Sequence, residues 1–131
     1  MTDLLDRLAA RPRVLVVEDQ PQLRAALSRF LRLKGCDVEA AADGAEGLVK
    51  LACYHFDAVV SDIQMPKVDG PAFYEHAVAL HPYLRRRFLF CSALPCPPSL
   101  ATDHAARFYA KPFELSDLWA TLSELLGEQQ P

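Results

Sequence analysis

The chain lacks the uncharged run of about 18 residues that a membrane span requires. Its start, Met1-Thr2-Asp3-Leu4-Leu5-Asp6-Arg7, puts acids where a secretory signal carries a basic flank. A cytoplasmic location is expected, with no contact with membrane. Basic charge is also short, since 14 Lys and Arg against 17 Asp and Glu leave a net charge of -3. That gives no field for a phosphate backbone and argues against nucleic-acid binding, and the one basic run, Arg85 to Arg87, reads as a solvated loop. Cys36, Cys53, Cys91 and Cys96 form no C-x-x-C pair and have no His at zinc-ligand spacing, so they read as buried or incidental thiols. His55, His76, His81 and His104 share no spacing and read as surface or packing residues. Internal repeats and low-complexity tracts are missing too.

What remains is an average globular composition, 51% apolar and 24% charged over 131 residues, which fits one compact domain with one core. A sensing domain and an effector domain do not both fit in that length. The expected organisation is a leader over 1–12, a folded domain over 13–126 and a tail over 127–131, with the output on another polypeptide or another part of a parent protein. Leu4, Leu5 and Leu8 read as a short amphipathic turn before the first strand.

Short β-branched runs alternate with amphipathic stretches. Arg13 to Val17 reads as a strand, followed by a helix from Pro21 with Leu23, Leu27, Phe30 and Leu31 on one face. Gly35 stops that helix, and Asp37 to Ala41 is a more polar strand expected near an edge. Asp43 with Glu46 makes a capping-box pattern ahead of Leu48, Leu51 and Ala52. Asp57 to Ser61 is a buried strand, and Pro71 opens a helix carrying Phe73, Ala77 and Leu80. Phe88 to Cys91 and Arg107 to Ala110 are the last two strands. Ser116 is placed as the cap of a final helix with Leu118, Trp119, Leu122, Leu125 and Leu126 inward. Strands without period-2 alternation, separated by helices, predict a doubly wound five-stranded parallel sheet in a three-layer α/β/α sandwich. Pro95, Pro97 and Pro98 leave at most about two helical turns for the fourth crossover, so its helix is expected to be short or degenerate.

In an open parallel sheet the functional crevice lies at the carboxyl ends of the strands. Strand one ends in Glu18-Asp19, strand three in Asp62, strand four in Ser92, and strand five runs into Lys111-Pro112. Three carboxylates at that rim repel by about 4 kcal/mol per pair at 4 Å and an effective dielectric of 20, so the cluster calls for a cation. Hard oxygen ligands point to Mg²⁺ or Mn²⁺, and such sites commonly handle a phosphoryl group. Lys111 and the Ser92 hydroxyl supply a second cation and a donor for phosphate oxygens. Asp57, at the start of its strand, lies at the opposite end and reads as structural.

Val14-Leu15-Val16-Val17-Glu18-Asp19, Asp62 to Gly70, Cys91-Ser92-Ala93 and Ala110-Lys111-Pro112-Phe113 resemble the receiver domain of two-component response regulators, the CheY-like family. The resemblance runs from about Arg13 to Leu126. It implies a flavodoxin-like strand order 2-1-3-4-5 and a phosphoacceptor that takes a phosphoryl group from a histidine kinase or histidine phosphotransfer protein, either alone or as the receiver of a hybrid histidine kinase. By the same resemblance, Asp62 is the phosphoacceptor. Asp19, the Asp62 carboxylate and the Gln64 backbone carbonyl ligate Mg²⁺, with Glu18 acting mainly through water. Ser92, the Ala93 backbone N–H and Lys111 hold the phosphoryl group, the Lys111–Pro112 bond is cis, and Ser92 and Phe108 form the switch. Gln64 orients water without being a strong base, and Leu94 is apolar, so slow autodephosphorylation is expected. In the family the crossover after Ser92 carries much of the output surface; here it is shortened, and local mobility that phosphorylation quenches is expected over Pro95 to Ala106. Two other readings stand beside this one: a Mg²⁺-dependent aspartyl-phosphate phosphatase, disfavoured by Gln64 where a second acid belongs, and an interaction module that needs no phosphorylation.

Overall fold

The computed structural model describes residues 11–93 and 106–127. Strands β1 (Arg13–Val17), β2 (Asp37–Ala41), β3 (Ala58–Asp62), β4 (Phe88–Ser92) and β5 (Arg107–Ala110) form one parallel sheet in the order β2-β1-β3-β4-β5. Between them run helices α1 (Pro21–Leu33), α2 (Gly44–Cys53) and α3 (Gly70–Leu80), a 3₁₀ turn (Pro82–Arg86) and, after β5, helix α4 (Leu115–Gly127). Residues 1–10 of the leader, the tail after Gly127 and the expected short helix of the fourth crossover, with Leu94, Pro95, Pro97 and Pro98, lie outside the described residues.

Why the central strands show no alternation is plain from their two faces. Leu15, Val17, Val59, Phe88 and Phe90 pack with Leu51, Phe56, Phe73 and Ala77 on the α2–α3 side. Val14, Val16, Val60, Leu89 and Cys91 pack with Leu27, Leu31, Leu118 and Leu122 on the α1–α4 side. Both faces are covered, so β3 and β4 are buried along their whole length. The polar β2 is an edge strand, as its composition predicts. Burial raises the Cys91 thiol to about 12, consistent with an inert packing residue. On the α1–α4 side, the Lys34 ammonium lies 5.5 Å from the Phe30 ring and 6.0 Å from the Trp119 ring.

Helix starts follow the expected chemistry in two of three cases. The Asp43 carboxylate accepts from the Glu46 N–H at 2.8 Å, while the Glu46 side chain reaches back to the Ala42 N–H at 3.1 Å, one residue earlier than a standard capping box. Asp69 accepts from the Ala72 N–H at 3.0 Å ahead of Pro71. The last helix departs from expectation: it begins at Leu115, with the Glu114 carbonyl accepting from Asp117 and Leu118, so Ser116 lies inside the first turn instead of capping it. Leu80 and Ala52, expected inward, are exposed, because each sits at a C-terminal turn where the helix leaves the sheet. Arg87 is the larger correction. It is buried and donates to the carbonyls of Asp57 at 3.2 Å and Leu125 at 3.3 Å, so the basic run is a solvated turn only through Arg86. Asp57 holds the opposite end of the sheet by accepting the Arg13 N–H at 2.8 Å. Among the described residues no helix is long and apolar enough to cross a membrane.

The Asp43 cap offers a test. The Glu46 amide first, and then Lys67, hold its carboxyl below the ordinary Asp range against the opposing effect of burial. A depressed carboxyl contributes stability above its unfolded pKa and loses it as pH falls through the folded one. Asp43→Ala is expected to cost about 1 kcal/mol in urea unfolding at pH 7, and the gap between variant and parent should close as the pH is taken below the ordinary Asp range.

Candidate functional site

The parallel ladder carries five side chains to one rim. Past the last β1–β2 pair, Val17 with Ala41, the Glu18 N–H bonds to the Ala41 carbonyl at 3.0 Å, extending the ladder to Glu18-Asp19. Asp62, the last residue of β3, pairs with Cys91. Ser92, the last of β4, pairs with Ala110, and the Lys111 N–H donates to the Ser92 carbonyl at 2.8 Å. Carboxylate oxygens of Glu18, Asp19 and Asp62 all lie within 4.8 Å of one another. Glu18 and Asp62 are buried, at 2% and 7% exposure, and Asp19 is open to solvent.

Lys111 reaches into this cluster with its Nζ 2.9 Å from Glu18 Oε1 and 3.3 Å from Asp62 Oδ2. Backbone amides take the other oxygens: the Gln20 N–H donates to Glu18 Oε2 at 3.1 Å and the Gln64 N–H to Asp62 Oδ1 at 3.2 Å. Burial pushes the Glu18 carboxyl above its ordinary range, and the nearby Asp62 charge adds to the rise, while Lys111 and the Gln20 amide only partly offset it. For Lys111, burial alone would lower the ammonium, but the hydrogen bond to Glu18 and the charges of Asp62 and Glu18 outweigh it and hold it above its ordinary value. The site therefore favours the ammonium form of Lys111, while burial works against the charged form of Glu18. One Lys among three carboxylates leaves an excess of negative charge on hard oxygens, a donor set that suits Mg²⁺ or Mn²⁺.

The family model described as the response regulator receiver domain matches residues 14–123 of this chain. The chain belongs to that family. This receiver is 38% identical over 94 residues to a protein-glutamate methylesterase/protein-glutamine glutaminase of Anaeromyxobacter dehalogenans, covering 72% of this chain and 26% of that one. It is 34% identical over 127 residues to the sensor kinase CckA of Brucella abortus, covering 93% of this chain and 13% of the kinase. The receiver thus spans only 26% and 13% of the length of these two relatives. Among solved structures it is similar to the response regulator TrrA of Thermotoga maritima, solved in complex with Mg²⁺–BeF, with 26% identity and a TM-score of 0.77 over 87% of this chain and 98% of that one. The match sets the phosphatase reading aside: this is a receiver domain of two-component signalling.

The receiver's other expected site residues fall as follows. Ser92 is buried at the end of β4, and Ala93 beside it is exposed. Phe108 is half-buried and stacked on Phe90, with ring centroids 5.6 Å apart. Gln64 is exposed beside Asp62, and the Lys111–Pro112 peptide is cis. Lys111 pairs with Asp62 and, at the shorter distance, with Glu18 as well. Sequence reasoning missed two residues. Arg24, on α1, donates to the Glu18 carbonyl at 2.9 Å. Lys67, in the β3–α3 turn, has φ 71° and pairs with Asp43 at 3.4 Å. The position between Pro66 and Gly70 marked a turn, but nothing in the spacing pointed to a Lys at positive φ.

Gly70 is what lets that turn lie close to the strand: a Cβ there would sit 2.7 Å from the Ile63 Cα and 2.8 Å from its carbonyl oxygen. The Lys111 ammonium has a measurable consequence of its own. Lys111→Met strands a buried Glu18 carboxylate beside Asp62, and is expected to cost about 2 kcal/mol in urea unfolding at pH 7 without divalent metal. Because burial already raises the Glu18 carboxyl and the variant removes its cation, the loss should shrink as the pH is lowered and that carboxyl takes up a proton. A loss that does not change with pH would contradict this assignment of the charge.

Proposed function

We propose that Asp62 is the phosphoacceptor and that the receiver takes its phosphoryl group from a phosphohistidine of a kinase or histidine phosphotransfer protein. An Asp62 oxygen attacks phosphorus, the P–N bond breaks, an acyl phosphate forms and the imidazole leaves as the proton-accepting group. The observation that carries this reading is the buried Asp62 carboxylate, in one cluster with Glu18 and Asp19 and 3.3 Å from the Lys111 ammonium. Asp19, Asp62 and the Gln64 carbonyl are the ligands we assign to Mg²⁺, with Glu18 acting through water. When bound, the metal neutralises charge on the transferring phosphoryl oxygens. Lys111 holds one of those oxygens from the other side, and the Ser92 hydroxyl and Ala93 N–H hold a third. That the similar Thermotoga response regulator was solved in complex with Mg²⁺–BeF supports a reading in which the rim takes Mg²⁺.

The phosphoryl dianion then draws Ser92 toward it and lets Phe108 leave its stacking on Phe90, the change that a downstream protein reads. Beside Lys111 and Ala93 opens a groove of about 1000 Å³ whose walls include Leu23, Ala26, Pro112 and Phe113. This supports docking of a donor protein with an apolar face next to its phosphohistidine. The receiver itself does not turn over a substrate beyond transfer to and from Asp62. The exposed Gln64 offers no strong base, which together with the apolar Leu94 favours a long-lived acyl phosphate.

Incubation with Mg²⁺ and a small phosphodonor should place one phosphoryl group per chain, labile to hydroxylamine. Asp62→Asn or removal of divalent metal should abolish it, and phosphate esters should not be turned over. Label retained by Asp62→Asn would overturn the assignment, and an acyl-phosphate half-life of seconds would contradict the proposed roles of Gln64 and Leu94.

A further inference from the structure

The turn that presents the acidic pair is closed by a side chain outside the cluster. β1 ends at Val17, and Glu18-Asp19 continues into a turn before α1 begins at Pro21. The Glu18 carbonyl accepts Arg24 Nη1 at 2.9 Å. Arg24 is fixed in turn, with its N–H donating to the Gln20 carbonyl at 2.9 Å and its own carbonyl accepting the Ser28 hydroxyl at 2.8 Å. Gln20 closes the loop by donating its N–H to the Glu18 carboxylate at 3.1 Å. The Glu18–Asp19 peptide is therefore held at its carbonyl by the guanidinium and at the Glu18 side chain by the Gln20 amide, both anchored to the first two turns of α1.

We propose that Arg24 is a positioning residue: it sets the plane of the Glu18–Asp19 peptide, and with it the direction in which the exposed Asp19 carboxylate is offered to Mg²⁺. Asp19 is the one acid of the three left open to solvent, so its aim rests on the backbone that carries it. The proposal rests on the reading that this cluster takes Mg²⁺. It yields a sign that a charge effect would not. A guanidinium near a divalent site repels the ion, so if charge were its only influence, removing it would tighten binding. If it positions a ligand, removing it weakens binding. Partners that orient metal ligands commonly change affinity by about tenfold or more.

The test is a Mg²⁺ titration of the unphosphorylated protein, followed by calorimetry or by amide shifts at the rim, on the parent, Arg24→Met and Arg24→Lys. Urea stability is measured alongside. Arg24→Met is expected to weaken Mg²⁺ binding about tenfold. Arg24→Lys, which keeps the charge and the stem but not the planar fork, should weaken it by a smaller factor in the same direction. The Mg²⁺ concentration for half-maximal phosphorylation should rise with the dissociation constant, while the rate at saturating Mg²⁺ stays within about twofold of the parent. A dissociation constant unchanged or tightened in both variants, with the parent binding normally, overturns the role of Arg24 and leaves the Mg²⁺ reading intact. A parent that shows no saturable response to Mg²⁺ overturns that reading and this inference with it.

Discussion

The Lys111 ammonium sits between two buried carboxylates, 2.9 Å from Glu18 and 3.3 Å from Asp62, and the rest of the rim is arranged around that contact. Carboxylates that close would drive one another to protonate or spread apart. Lys111 offsets part of that repulsion, yet it is one charge against three. The cluster is left stable enough to fold and negative enough to attract a cation. Its partner amides at Gln20 and Gln64 complete the hydrogen bonding without adding charge. A site with a second lysine would lose its pull on a divalent ion, and one with none would strain the core beneath it.

That core explains how a rim built from four different strands is held in place. The strands are covered on both faces, by Phe73 and Leu51 on one side and by Leu27, Leu118 and Leu122 on the other, so the ladder beneath the rim has little freedom to shift. Aromatic contacts run through it toward the site: Tyr74 against Phe88 and Phe90, and Phe90 against Phe108. Phe108, on β5, is the member of this stack that is only half-buried.

Most of this was legible in the residues. Unalternating β-branched runs gave the central strands, the polar Asp37 to Ala41 stretch gave an edge, and reading the residue at each strand end found Glu18, Asp19, Asp62, Ser92 and Lys111, because period and position along a strand are local properties. What spacing does not encode is reach. Arg24 lies six residues from the carbonyl it binds and looked like one polar residue on an amphipathic helix. Arg87 looked like the end of a solvated basic run, yet its guanidinium crosses to the carbonyls of Asp57 and Leu125, 30 and 38 residues away. Lys111 has two acids within reach, and only the folded arrangement decides that Glu18 is nearer. Lys67 at positive φ depends on how the turn is pressed against α2, where a Cβ on Gly44 would meet the Val68 carbonyl at 2.5 Å.

The direct bond from the Lys111 amide to the Ser92 carbonyl, at 2.8 Å, separates two kinds of variation that selection can act on. Whatever chain intervenes between β4 and β5, this bond and the β4–β5 pairing hold Lys111 in register with Ser92, so a change of length there is expected to leave the acidic rim in place. A single-residue indel inside a strand would turn a carboxylate from the crevice into the core. A change of length between β4 and β5 and a change within a strand are therefore expected to act on different things, the first on the connection and the second on the rim.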